Sequence, residues 1–325
     1  MHRHRIVTNG VSLSVADHGD GPPVLFCHGF PAIGSSWDRQ VAAVVAAGFR
    51  AIVPDMRGYG ASDAPDDAAA YMPFHTVGDL VGILDHLDLT DTILVGHDFG
   101  ASVAWNAAMM RPDRFRAVFG ISVAFQPLGG PSFLDRLRRA GRDDFYMFAQ
   151  MDPQAEKVWA DASVTIPANY YRSSSEAPPK ERWNAFNAPG MVRPSPPPSH
   201  VDPGYLRQAI DAFARRGFRG PLNYYRALDL YFAIASPAFA GAKVKQPSYF
   251  LMGAEDALRS FAPDEGTMRE AILDLRGYVV LDGVGHWPQW EAADAVNRQL
   301  LAFLKKVSDP RTASHPDTGS IGHDR

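Results

Sequence analysis

Short apolar, β-branched runs alternate with longer amphipathic segments through the first third of the chain. Arg5-Ile6-Val7 and Val11-Ser12-Leu13-Ser14-Val15 flank Asn9-Gly10, a pair that favours a tight hairpin turn. Val24-Leu25-Phe26-Cys27, Arg50-Ala51-Ile52-Val53, Asp91-Thr92-Ile93-Leu94-Val95 and Arg116 to Ser122 are nearly unbroken apolar runs of strand length. Such runs fit strands covered on both faces. Between them the spacing turns helical: about Ser36 to Ala47, then Val77, Leu80, Val81, Leu84 and Leu87, then the alanine-rich Ala101 to Met109. Strand and helix in alternation predict a parallel sheet with helices on both sides.

From about 124 to 240 the pattern changes and no parallel strand is expected. Phe145 to Gln150 and Gln154 to Ala162 read as helices, and Ser195-Pro196-Pro197-Pro198-Ser199 as an extended connector. Asp202-Pro203 starts a helix that ends at Gly217, with a capping residue and first-turn proline at one end and glycine past the other. Pro221 opens another, Leu222 to Ala235. The core pattern then resumes with strands over Pro247 to Met252 and Tyr278 to Leu281 and a last helix from about Ala292 to Lys306. The division expected is therefore an α/β core over 1–123 and 241–307, a helical insertion over 124–240, and a disordered polar tail over 308–325.

The chain has 325 residues, 46% of them apolar, enough for one large α/β domain with an insertion. Its net charge of −4 argues against nucleic acid as a partner. Cys27 is the one cysteine, so no intramolecular disulfide can form and a reducing, cytoplasmic compartment is expected. The basic start, Met1 to Arg5, is followed by no apolar segment, so no secretory signal is expected. No run of 18 apolar residues suggests a membrane span. Assembly is expected to stop at monomer or homodimer.

Chemistry gathers at strand ends. Val95-Gly96-His97-Asp98-Phe99-Gly100 joins a predicted strand to a predicted helix through two glycines. That is a nucleophile elbow, with aspartate where acyl-transfer enzymes place serine. A serine attacking saturated carbon would leave an ether. A carboxylate leaves an alkyl ester, which water can cleave, so Asp98 points to displacement at an sp3 carbon followed by ester hydrolysis. Asp256 follows a later strand and His286 the last one. The order nucleophile, acid, histidine is that of the α/β hydrolases, and each residue sits at a strand's carboxyl end, where open α/β sheets place ligands. His286 would draw a proton from water, and Asp256 would orient it. The backbone N–H groups of Phe30 and Phe99 would hold the oxyanion formed on Asp98.

These residues resemble the epoxide hydrolases of the α/β-hydrolase fold. His28-Gly29-Phe30-Pro31 matches their oxyanion loop, and Asp55-Met56-Arg57-Gly58-Tyr59-Gly60-Ala61-Ser62 the stretch after the fourth strand. Gly217 to Arg226 looks like the segment carrying one ring-opening tyrosine, which places that role on Tyr225. Phe145-Tyr146-Met147-Phe148 looks like the segment carrying the other, which places it on Tyr146, although Met147 to Met151 depart from the family's usual residues. The resemblance spans about residues 3 to 305. It implies a mostly parallel eight-stranded sheet with helices on both faces and an inserted helical cap. It also implies a small apolar epoxide as substrate, and no metal or organic cofactor.

Rival readings are specific. Glu255 competes with Asp256, and Tyr170 and Tyr171 with Tyr146; Tyr224, adjacent to Tyr225, points elsewhere on its helix and reads as packing. His28 reads as shaping the oxyanion loop, and His75, His86 and His97 as structural or solvated. A haloalkane or haloacid dehalogenase uses the same aspartate. Haloalkane dehalogenases typically hold halide with a tryptophan after the nucleophile and an asparagine in the oxyanion loop, where this chain has Phe99 and Phe30. Fluoroacetate dehalogenases typically place an arginine after the nucleophile, again Phe99 here. A non-catalytic binding module on this fold would leave the triad and both tyrosines unexplained.

Overall fold

Asn9 and Gly10 take positive φ (47° and 75°) and close a hairpin between β1 (His2–Thr8) and β2 (Val11–His18). The computed structural model describes residues 2–186 and 191–309. After the hairpin come β3 (Pro23–Cys27), α1 (Asp38–Ala46), β4 (Arg50–Pro54), α2 (Pro73–His86), β5 (Thr92–His97), α3 (Phe99–Met110) and β6 (Phe115–Ile121). The sheet is completed by β7 (Val244–Gly253) and β8 (Ile272–Leu281), giving eight strands in the order β1-β2-β4-β3-β5-β6-β7-β8. β2 runs antiparallel to both its neighbours, and every other pairing is parallel.

The two-residue period of the strands sorts the core into two layers. Val24, Phe26, Ile93, Val95 and Phe119 face one side, where Val41 and Val44 of α1 meet Val296, Leu300, Phe303 and Leu304. Leu25, Leu94, Val118 and Phe250 face the other, under Leu80, Ile83 and Leu84 of α2 and Val103, Ala104 and Ala107 of α3. Both faces are covered, as the unbroken apolar runs require. One buried ion pair, Arg57 Nη2 to Asp79 Oδ1 at 2.5 Å, ties α2 to the loop after β4.

Between β6 and β7 the described residues form helices and no strand: α4 (Phe133–Arg139), α5 (Tyr146–Met151), α6 (Ala155–Trp159), α7 (Ala162–Arg172), α8 (Pro203–Arg216), α9 (Arg219–Arg226) and α10 (Leu228–Ala238). The last part of the chain adds α11 (Glu265–Ala271), α12 (Pro288–Glu291) and α13 (Ala293–Ser308). No described helix is long and apolar enough to cross a membrane.

Several expectations need correction. The helix expected to run unbroken from Leu222 to Ala235 starts earlier, at Arg219, and is interrupted at Ala227, which separates α9 from α10. Pro221 falls in the first turn of α9, where its missing N–H costs nothing. α4 and α7 were not expected. α4 is short, held by a capping box between Ser132 and Asp135, and α7 carries Pro167 in its interior. Burial of Ile166, Ala168 and Tyr170 offsets the hydrogen bond that Pro167 cannot make. β7 and β8 begin earlier than expected because their first halves are more polar; β8 is an edge strand with Asp274 and Arg276 paired along it. The last helix ends at Ser308, so the tail expected from 308 starts with a helical residue, and 310–325 lie outside the described residues.

Candidate active site

β5 delivers the chain into the elbow. Asp98 has φ 54° and ψ −123°, a conformation that costs an aspartate about 1–3 kcal/mol and is held by its surroundings. The surroundings leave no room at the flanking glycines. A Cβ on Gly96 would lie 2.4 Å from Gly100 O, and one on Gly100 would lie 2.0 Å from Cys27 O. Gly29 faces the same limit, since a Cβ there would lie 2.4 Å from Asp98 Oδ1.

Asp98 is buried, with 8% of the residue exposed. Oδ1 accepts a hydrogen bond from Phe30 N at 2.8 Å, and the Phe99 N–H also favours the charged form. Oδ2 lies 3.7 Å from His286 Nε2. Burial pushes the Asp98 carboxyl above its ordinary range, and His286 with the two amides offsets part of that. On the far side of the imidazole, His286 Nδ1 lies 2.9 Å from Asp256 Oδ2. Asp256 Oδ1 accepts from Leu258 N at 2.9 Å, so both its oxygens are engaged. An ionised carboxylate only accepts, so Nδ1 carries a proton and Nε2 faces Asp98. Burial alone would lower the His286 pKa, but Asp256, Asp98 and Glu291 outweigh it and lift it to about 9. Glu255, the rival acid, instead pairs with Arg182.

The loop bearing His286 is clamped from several elements. Its carbonyl accepts from His97 Nε2 at 2.7 Å and from Ser122 Oγ at 3.1 Å, and its N–H donates to Ser173 O at 2.8 Å. Glu291 accepts from the N–H groups of Gly285 and Trp287 at 2.9 and 3.0 Å. None of Ser122, Ser173 and Glu291 was singled out in the sequence, and His97 was read only as structural or solvated. Ser122 does hold φ 65°, unusual for serine, at the end of β6. His28 donates from Nδ1 to Gly29 O at 3.1 Å and accepts from Met56 N at Nε2, 3.0 Å. It bridges two loops and shapes the one that carries the Phe30 amide.

Tyr225 and Tyr146 come from α9 and α5. The Tyr225 ring lies 4.7 Å from Phe99, 5.4 Å from Phe30 and 6.1 Å from Tyr146, centroid to centroid. Neither hydroxyl has a hydrogen-bond partner among the described residues. Burial, then nearby negative charge including that of Asp98, raises both phenols well above the ordinary value, so both are protonated. Their neighbours are engaged elsewhere: Tyr224 donates to Arg57 O at 3.1 Å, and Tyr170 to Pro31 O at 2.7 Å. A cavity of about 170 Å³ opens over Asp98, between α3 and the helices that follow β6, and Tyr146 is in its wall. Its lining is mostly apolar, including Trp105, Phe125, Leu128, Phe133 and Phe261.

The sheet order, the elbow and the late acid and histidine define a protein of the alpha/beta hydrolase fold, and the model of that family matches residues 22–293. An epoxide hydrolase of Caballeronia sordidicola is 50% identical over 94% of each chain, and epoxide hydrolase A of Mycobacterium tuberculosis is 34% identical, over 91% of this chain and 95% of that one. Among solved structures, an epoxide hydrolase from an endophytic Streptomyces superposes with a TM-score of 0.87 at 33% identity, covering 94% of this chain and 96% of that one. One from Vigna radiata gives 0.85 at 32% identity, covering 94% and 98%. The chain belongs to the epoxide hydrolases of this fold.

Proposed function

We propose that the protein converts an epoxide and water to a vicinal diol through a covalent ester on Asp98. The observation that carries this is the facing of chemistries: a buried carboxylate in reach of a histidine, beneath a cavity walled in part by Tyr146, with the Tyr225 ring packed against Phe99, Phe30 and Tyr146 beside it. In the first half-reaction Asp98 Oδ2, the oxygen not held by the Phe30 amide, attacks an epoxide carbon. The ring C–O bond breaks, and the departing alkoxide takes a proton from Tyr225 or Tyr146. An alkoxide is far more basic than a phenolate, so even a phenol with a raised pKa can supply that proton.

The second half-reaction needs a neutral imidazole. At rest, the negative charge of Asp98 helps hold a proton on His286. Esterification removes that charge, the pKa of His286 falls, and its proton can replace the one the tyrosine gave. Neutral His286 then takes a proton from water, and the hydroxide attacks the Asp98 carboxyl carbon. The oxyanion is met by the Phe30 and Phe99 amides, each typically worth about 2.7–4 kcal/mol of barrier. Collapse releases the diol and restores carboxylate and imidazolium. Asp256 stabilises that imidazolium throughout.

In this reading the helices within 124–240 act as a cap over a core built from 1–123 and 241–307. The substrate is a small, largely apolar epoxide. A single buried cysteine, Cys27, fits a cytoplasmic protein, and monomer or homodimer is the assembly we expect. Intact mass after exposing His286→Gln to an epoxide tests the function. An adduct equal to the whole substrate mass supports ring opening. A dehalogenase would add a haloalkane less hydrogen halide, and no adduct with either reagent would mean a binding protein.

A further inference from the structure

The cavity over Asp98 is not uniformly apolar. Ser102 and Asn106 stand four residues apart on α3, so they share one face of the helix, and together with Asp98, in the turn just before it, they line the cavity. At 1.5 Å per residue, Ser102 lies about 6 Å and Asn106 about 12 Å along the axis from the elbow. Asn106 is tied down at both ends of its amide. Nδ2 donates to Ser102 O at 2.8 Å, and Oδ1 accepts from the hydroxyl of Tyr231, which reaches it from α10. Because a carbonyl oxygen only accepts, the amide can point only one way, and Tyr231 must be the donor to it.

That leaves unused capacity of both kinds. Asn106 retains a second N–H, the Tyr231 oxygen retains acceptor lone pairs, and the Ser102 hydroxyl has no partner among the described residues. A hydroxyl group can answer donor and acceptor together, whereas a carbonyl or ether can answer only the donor. No lysine or arginine lines the cavity, so nothing there balances a carboxylate.

We propose that Ser102, Asn106 and Tyr231 form a hydroxyl-recognising subsite, so that the preferred substrates are epoxides whose carbon skeleton carries an uncharged hydroxyl roughly two helical turns from the ring. The inference rests on the epoxide hydrolase reading and adds a substrate class to it. The three residues act on binding and specificity and have no part in the bond-making steps.

The test is kcat/KM for matched epoxides of one chain length, ending in methyl, hydroxyl or carboxylate. One neutral hydrogen bond corresponds to about a two- to tenfold preference. The expected order is hydroxyl above methyl by that factor, carried by KM, with carboxylate lowest. Asn106→Leu and Tyr231→Phe should each bring the hydroxyl-to-methyl ratio close to one. Ser102→Ala, which removes a half-buried hydroxyl, serves if the larger change prevents folding, and should lower the ratio for hydroxyls placed one turn nearer the ring. Wild-type protein that hydrolyses both neutral epoxides with equal kcat/KM overturns the subsite alone. A preference that survives all three substitutions also overturns it. Failure to hydrolyse any of the epoxides overturns the functional reading and the subsite with it.

Discussion

Replacing Tyr225 with phenylalanine should separate the two proposed half-reactions. The Tyr225 hydroxyl bonds to no described residue, so its loss strands no partner, and the ring that packs on Phe99 and Phe30 is kept. Stability should therefore change by less than about 1 kcal/mol. Chemistry should change far more. A donor aimed at a developing oxyanion is typically worth about 2.7–4 kcal/mol, or roughly 10²–10³ in rate. Tyr146, 6.1 Å away ring to ring, still offers a proton, which places the expected loss at the lower end, about 10²-fold. The assay is rapid quench and intact mass in the His286→Gln background, where adduct accumulates and its formation is read directly. Adduct formation should slow about 10²-fold with melting almost unchanged, and adding Tyr146→Phe should abolish it. Formation at the parent rate, with only adduct breakdown slowed in protein that retains His286, would remove Tyr225 from ring opening.

The titration of His286 has a defined sign. Its pKa is raised in the folded protein to about 9, against 6.5 for the free side chain. The stabilisation it contributes is complete below about pH 6.5 and is lost as pH climbs through about 9. Denaturant unfolding should show that decline over this window in the wild type and lack it in His286→Gln. Gly100→Ala should cost more than about 3 kcal/mol, because the new methyl would lie 2.0 Å from a β3 carbonyl that cannot move without breaking the sheet. A variant that melts like the wild type would show that the elbow tolerates a side chain there.

Much of the core was legible because it is local. Unbroken runs such as Val24 to Cys27 can be buried on both faces only in a covered sheet, and the elbow announces itself through Gly96 and Gly100. Asp256 and His286 could be located because each follows a strand signal. The tyrosine positions came from resemblance to a family, since nothing in a helix's own sequence says which aromatic faces a cleft. The helical block was read less well. Pro167 argues against a helix that tertiary burial nonetheless holds, and nothing in the local sequence marks the interruption at Ala227, ahead of the helix whose Tyr231 reaches Asn106. The clamp on the His286 carbonyl could not be read at all. Its donors, His97 and Ser122, lie 189 and 164 positions away in sequence, and no local pattern links them. Glu291 is only five residues from His286, yet its value depends on two backbone amides that turn toward it after folding.

The covalent route stands or falls on where the oxygen of water goes. In a single turnover with enzyme in excess, carried out in oxygen-18 water, hydrolysis of the ester should leave label in the Asp98 carboxylate, found by mass spectrometry of the peptide that carries it. The diol from that turnover should carry an oxygen from Asp98 and no label from the solvent. Label in the diol, with none in the Asp98 peptide, would mean that water attacks the epoxide directly and that no ester forms.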